Sequence, residues 1–289
     1  MRPIATPSYT KEILERYDLY AKKGFGQNFL IEPGIVDKIA RNAVVSDHTL
    51  AIEIGPGIGA LTQYLCEYAK KVIAFEIDER LPEVLKDTLQ AYDHVEIIQK
   101  DFLQIDIQEL VERYKKEGYD VVVAANLPYY ITTPILFKLF SSKAAVDSIT
   151  VMMQKEVADR FSAQKNTKDY NALTVITQYL CDVRTVAKVP KNVFLPKPKV
   201  DSTVLQFHIK EVNSKVDEQA FFEMVKACFR QRRKTLLNNY GEYLKDKEKA
   251  RIILEKGNID AGLRAESLSL DEFLHVYEIQ TTYEKENIL

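Results

Sequence analysis

Short runs of consecutive apolar residues, separated by amphipathic stretches, set the pattern of the first two thirds of the chain. Leu50-Ala51-Ile52, Val72-Ile73-Ala74-Phe75, Val95-Glu96-Ile97-Ile98, Val121 to Ala125 and Ile149 to Met153 have the length and β-branched content of buried strands. Between them, Leu61, Tyr64, Leu65 and Tyr68 recur at helical spacing. Residues 134–140, opening on Pro134 in the first turn, 156–162 and 172–181 also read as helices. Thr203 to Ile209 alternates apolar and polar positions like a late strand. Strand and helix in alternation to about residue 210 predict an α/β fold, a Rossmann-like doubly wound and mostly parallel sheet. The polar stretch 211–217 reads as a linker. From Gln219 the pattern is helical, with Phe221, Phe222, Val225 and Phe229 on one face. The expected division is therefore a large domain over 1–210, with an N-terminal helical extension, and a small helical domain over 218–289.

Composition narrows the partners. The 289 residues carry 40 Lys+Arg against 42 Asp+Glu, a net charge of −2. That balance argues against indiscriminate binding to nucleic acid and requires a local basic face if such a partner exists. Two local excesses stand out. Residues 226–251 hold nine basic side chains against three acids, and residues 188–199 hold four lysines and no acid. The run Arg230-Gln231-Arg232-Arg233-Lys234 would be a solvated helix surface if it had no partner. Cys66, Cys181 and Cys228 are scattered and odd in number, so no disulfide framework or zinc site is expected. His48, His94, His208 and His275 lack the spacing of metal ligands. The N-terminal residues lack the apolar core of a signal peptide and no apolar run reaches the length of a membrane span, so a cytoplasmic location is expected.

The candidate chemistry gathers at predicted strand ends. Glu53-Ile54-Gly55-Pro56-Gly57-Ile58-Gly59 lies between a strand and a helix, the opening of a nucleotide-binding unit. Its glycines fall as G-x-G-x-G rather than G-x-G-x-x-G, which leans away from a dinucleotide site. Glu76 ends the next strand, about 20 residues on, where a carboxylate can hold ribose hydroxyls. Lys100-Asp101-Phe102 follows the third strand. There an acid can accept from an adenine amine and a ring can pack on the base. Asn126-Leu127-Pro128-Tyr129 follows the apolar run 121–125. An Asn side-chain oxygen and a backbone carbonyl can each accept from an exocyclic amine, and Tyr129 offers a face for stacking. A plain Pro turn after a strand is the purely structural alternative for this tetrapeptide, as a surface acid is for Asp101.

Taken in order, these motifs resemble the rRNA adenine N6-dimethyltransferases. Gln27-Asn28-Phe29-Leu30, Glu53 to Gly59, Glu76, Asp101 and Asn126 to Tyr129 carry the likeness. So do Phe194-Leu195-Pro196-Lys197-Pro198-Lys199-Val200-Asp201-Ser202 and Cys228 to Leu236. The later segments resemble the small-subunit branch, bacterial KsgA (RsmA), more than the Erm branch, which typically carries Ile at the position of Leu127. Tyr170-Asn171 departs from the Tyr-Gly of the family. Asn follows Gly in tolerance of positive φ, so the departure bears on a local turn and not on function. The resemblance implies a class I methyltransferase domain that uses S-adenosylmethionine to dimethylate N6 of two adjacent adenosines. These would lie in a hairpin loop near the 3′ end of 16S rRNA, within the immature 30S subunit, and the enzyme would act as a monomer coupled to small-subunit biogenesis.

The implied roles divide among three groups. Asn28, Leu30, Gly55, Glu76, Asp101 and Asn126, with Gln27, Gly57 and Phe102, would hold the cofactor. Asn126, Leu127, Pro128, Tyr129 and Phe194 would form the adenine site; a core aromatic is the purely structural alternative for Phe194, while Pro196 and Pro198 nearby favour an exposed, stiff loop. Arg230, Arg232, Arg233, Lys234, Lys197 and Lys199 would meet rRNA phosphates, which position a structured RNA while the pocket reads the base. Two other classes use part of the same residues. A nicotinamide oxidoreductase would use the Gly turn and Glu76 but leave Asn126 to Tyr129 without a role. A non-catalytic assembly factor would need only the basic cluster.

Overall fold

The computed structural model describes residues 2–19, 28–142, 144–210 and 215–286. They fall into two compact units, Met1–Ala158 with Val183–Ile209, and Asp159–Asp182 with Lys210–Leu289. In chain order the elements are helix α1 (Pro7–Arg16), strand β1 (Phe29–Leu30), α2 (Pro33–Ala43), β2 (Thr49–Ile54), α3 (Ala60–Tyr68), β3 (Lys71–Glu76), α4 (Leu81–Thr88), β4 (Val95–Gln99), α5 (Ile107–Lys116), β5 (Asp120–Asn126), α6 (Thr132–Ser141) and β6 (Ser148–Gln154). Then come α7 (Lys155–Phe161), α8 (Ala172–Leu180), β7 (Cys181–Val189), β8 (Phe194–Leu195) and β9 (Ser202–Ile209). Four helices follow, α9 (Glu218–Cys228), α10 (Leu236–Leu244), α11 (Lys247–Lys256) and α12 (Leu270–Glu286). None of the described helices is long and apolar enough to cross a membrane.

The sheet of the first unit has seven strands in the order β4-β3-β2-β5-β6-β9-β7. Strands β2 to β6 pair in parallel, and β9 runs antiparallel to β6 with Ile149 opposite Phe207. The pattern of the sequence explains the centre. Val121 to Ala125 of β5 are all at most 1% exposed, as expected of a strand covered on both faces. Beginning at β2, the chain builds outward through β3 to β4, then crosses back to place β5 on the other side of β2. The carboxyl ends of β2 and β5 therefore meet at a topological switch point, where open α/β sheets bind ligands.

The strands and helices expected from the pattern are present within a residue or two. Strand β7 was not anticipated. It follows α8 with no Gly, Pro or Asn between them, and its burial is irregular, as suits the edge of a sheet. Most of the expected linker, 211–214, lies outside the described residues.

The second unit takes in 159–182 as well as the C-terminal helices, although those residues precede 210. Helix α8 supplies the reason. Thr174, Val175, Ile176, Thr177, Tyr179 and Leu180 are all buried, and Tyr179 packs on Phe221 of α9 with ring centroids 5.3 Å apart. Tyr170 donates to the Leu268 carbonyl at 2.8 Å. Asn171 has an extended backbone, φ −159°, and its side chain caps α8 by accepting from Leu173 N at 2.8 Å. The positive-φ turn expected there does not form, because the side chain is engaged as a helix cap.

Candidate active site

At the switch point a cavity of about 310 Å³ opens beside the ends of β2, β3, β4 and β5. That volume lies at the lower end of the range for small-molecule sites. Each described residue expected to hold cofactor or adenine lines it. These are Asn28, Leu30, Gly55, Gly57, Glu76, Asp101, Phe102, Asn126, Leu127, Pro128, Tyr129 and Phe194. Gln27 lies outside the described residues.

The glycine turn after β2 gives the cavity its floor. Gly57 has φ +61°, and a Cβ on it would stand 3.4 Å from the Phe29 ring. Its N–H donates to Glu76 Oε2 at 3.1 Å, while Glu76 Oε1 accepts from Ile77 N and Asp78 N at 2.8 and 2.9 Å. Glu76 thus ties the turn to the end of β3. Burial pushes its pKa up, and these three N–H groups hold the rise in check. Asp101 caps a short 3₁₀ turn, Phe102–Gln104, with Oδ1 accepting from Leu103 N at 2.9 Å. Its Oδ2 has no protein donor among the described residues. Phe102 is 3% exposed and meets Phe75 edge-on at 5.6 Å.

The wall expected to meet adenine is built from the ends of β5 and β8. Neither the side-chain amide of Asn126 nor the carbonyl of Leu127 has a hydrogen-bond partner among the described residues. Two acceptors are therefore available side by side at the cavity wall. Tyr129 is half-buried, and its hydroxyl lies 3.0 Å from Ser202 Oγ on β9, which fixes the ring's tilt. Phe194 is not on an exposed loop. It is 4% exposed and paired with Leu30 across the short β1–β8 ladder, so it is a core side chain that also faces the cavity. The Leu195–Pro196 bond that follows is cis.

Several lining residues were not among those expected. Phe29 and Ile58 lie within motifs already singled out but had no role of their own, and Phe75, Leu103 and Ile135 are apolar neighbours that nothing in their sequence context marks. Ile77 and Tyr130 also line the cavity while remaining 57% and 64% exposed. Glu53 belongs to the glycine motif, but no role was expected of it. It is 1% exposed, and its Oε2 has no hydrogen-bond partner among the described residues. Burial, reinforced by the nearby Glu76 carboxylate, raises its pKa to about 8. The Thr62 hydroxyl offsets part of that rise, although no hydrogen bond of ordinary geometry joins the two groups.

The residues expected to meet phosphate do not line this cavity. Lys197 and Lys199 are exposed in the first unit, without an ion pair among the described residues. The Arg230 to Lys234 segment, in the second unit, is a turn between α9 and α10 and not a helix surface. Within it, Arg232 pairs with Glu266 at 3.1 Å and Lys234 with Glu242 at 2.7 Å. Arg230 and Arg233 are exposed and unpaired among the described residues.

The available groups suit S-adenosylmethionine. Two strand-end carboxylates have acceptor capacity to spare, a glycine turn permits close backbone approach, and a buried aromatic ring lies beside Asp101. Comparison with known proteins agrees. The ribosomal RNA adenine dimethylase family matches residues 19–282. Ribosomal RNA small subunit methyltransferase A of Bacillus cytotoxicus is 50% identical over 279 residues, 94% of this chain and 96% of that protein. The Bacillus mycoides enzyme of the same name is 50% identical over the same shares. A dimethyladenosine transferase from Plasmodium falciparum superposes with a TM-score of 0.73 at 28% identity, over 88% of this chain and 98% of that one. The 23S rRNA methyltransferase ErmE gives a TM-score of 0.67 at 24% identity, over 88% and 100%, a likeness of fold. The chain belongs to the ribosomal RNA adenine dimethylase family, a class I methyltransferase that transfers methyl groups from S-adenosylmethionine to adenine in rRNA.

Proposed function

We propose that this chain dimethylates N6 of two neighbouring adenosines in a hairpin loop near the 3′ end of small-subunit rRNA. It would act as a monomer on the immature 30S particle in the cytoplasm. The observation that carries this reading is the pair of free acceptors at the end of β5, Asn126 Oδ1 and Leu127 O, in the same cavity as the glycine turn of β2. The name shared by the Bacillus relatives supports the choice of subunit.

The amine of adenine is a weak nucleophile because its lone pair is delocalised into the ring. Asn126 and Leu127 accept its two N–H groups, which favours a pyramidal nitrogen and stabilises the positive charge that develops there. Tyr129, held by Ser202, and Phe194, held by the β1–β8 ladder, close on the two faces of the base. Pro128 offers no N–H and keeps the turn rigid. Asn28, Leu30, Gly55, Gly57, Glu76, Asp101 and Phe102 hold the cofactor, with Glu76 on the ribose and Asp101 on the adenine amine. When bound, the cofactor supplies a methyl group on a sulfonium sulfur. No side chain of this chain is required as a nucleophile. Lys197, Lys199, Arg230 and Arg233 contact rRNA phosphates, and Arg232 and Lys234 add to their field from within ion pairs.

Incubation of immature small subunits with the protein and S-adenosylmethionine, followed by mass spectrometry of the rRNA, tests the reading. Two adjacent dimethyladenosines are the expected product. An unmodified 3′ hairpin would overturn the choice of substrate.

A further inference from the structure

Glu53 is a buried carboxyl at this cavity that the mechanism above does not use, and it is costly to keep. A carboxyl at 1% exposure with an unpartnered oxygen loses the hydration of its charged form and gains no hydrogen bond in return. Among the described residues no cation compensates it. Across the sheet its register neighbours are Ala74 on β3 and Ala124 on β5. From β3 it faces the Glu76 carboxylate, and from α3 the Thr62 hydroxyl and the Cys66 thiol. Cys66 is itself pushed up to about 12, chiefly by burial, and stays neutral. No Lys, Arg or His acts on Glu53 from any of these elements. The cavity wall therefore carries three carboxyl groups, Glu53, Glu76 and Asp101, and although Lys100 also lines it, no basic side chain acts on Glu53, which lacks a countercharge among the described residues.

The cofactor brings that countercharge. S-adenosylmethionine carries a sulfonium, an ammonium and one carboxylate. Its demethylated product has the same ammonium and carboxylate but a neutral sulfur. We propose that Glu53 is a neutral acid in the empty site and gives up its proton when the sulfonium cofactor binds, so that it sets the preference of the site for charged cofactor over uncharged-sulfur product. The raised pKa, about 8, agrees with a proton held at neutral pH. A cation brought into a water-poor cavity stabilises the ionised form and lowers that pKa. Once the methyl has left, the reason for ionisation has left with it. Glu53 then takes a proton back and the product is held less tightly. The proposal rests on the assignment of this cavity to the cofactor.

Calorimetric titration of the full chain tests it, with S-adenosylmethionine and S-adenosylhomocysteine each run near pH 7 in two buffers of different ionisation enthalpy. Wild type should release roughly one proton per S-adenosylmethionine and clearly fewer per S-adenosylhomocysteine. The ammonium of each ligand titrates in its own way, so the proton release of Glu53→Gln with the same ligand is subtracted from that of wild type. Affinity for S-adenosylmethionine should rise about tenfold per pH unit below 8 and level off above it, while that for the product stays nearly flat. Glu53→Gln, close to isosteric, should abolish the extra proton release and reduce the cofactor-to-product preference at least about tenfold at pH 8.5. Equal proton release for both ligands after that subtraction would overturn the proposal, as would an unchanged preference in a folded Glu53→Gln protein. Failure of both ligands to bind would instead overturn the assignment of the cavity.

Discussion

Replacement of Asp101 by Asn separates the two jobs of that carboxylate. Oδ1 caps the 3₁₀ turn by accepting from Leu103 N at 2.9 Å, and Oδ2, which has no protein donor among the described residues, is the oxygen proposed to meet the cofactor. Asn retains an oxygen for the cap and presents an NH₂ to the cavity, where it would face the adenine amine donor to donor. The turn should persist while one hydrogen bond to a charged group is lost, worth about 1.5–3 kcal/mol. Affinity for S-adenosylmethionine should therefore fall roughly 10- to 150-fold. Asp101→Ala removes the cap as well and should cost a further ~1 kcal/mol of stability. Calorimetry gives the affinities and a melting curve the stabilities. Asn should lose affinity with little change in Tm, and Ala should lose both. Wild-type affinity in the Asn variant would remove Asp101 from the cofactor site.

Four other outcomes follow from the same geometry. Asn126→Ala should lower single-turnover methylation on the order of 10²-fold, by analogy with an oxyanion-hole donor, and change cofactor affinity far less. Gly57→Ala should cost about 1–2 kcal/mol in a denaturant melt, because φ is +61° there, a conformation L side chains rarely adopt. In the basic turn, Arg230→Glu with Arg233→Glu should reduce the salt slope of subunit binding by roughly 0.7–0.9 per contact at unchanged Tm. Arg232→Ala should also release Glu266, at a cost of about 1 kcal/mol or less for a surface pair. Glu53 sets a pH dependence of stability. Its folded pKa lies near 8 against an ordinary 4.5, so the folded state keeps a proton that the unfolded state loses. Stability should fall as pH rises from 4.5 to 8 and then level, and Glu53→Gln should flatten that part of the curve.

The sequence alone determined the central strands, because strands covered on both faces must be apolar throughout. It also determined the glycine turn, the strand-end acids and Asn126 to Tyr129, whose residue types announce their chemistry. It did not reveal that 159–182 joins the C-terminal unit, since which surface α8 packs against is decided by long-range contacts such as Tyr179 with Phe221. Nor did it reveal Phe194 as a buried ring, which depends on a two-residue ladder with β1. Asn171 resembled a turn residue because Asn serves both turns and caps, and only the helix that follows decides between them. The basic run resembled a helix surface, yet it forms a turn in which half the charges are already paired. Glu53 shows the limit most clearly. Its position in the glycine motif was visible, but its burial, its orphan oxygen and its proton are properties of a tertiary environment. Local patterning is written residue by residue, while solvation and pairing depend on neighbours that only the folded chain brings together.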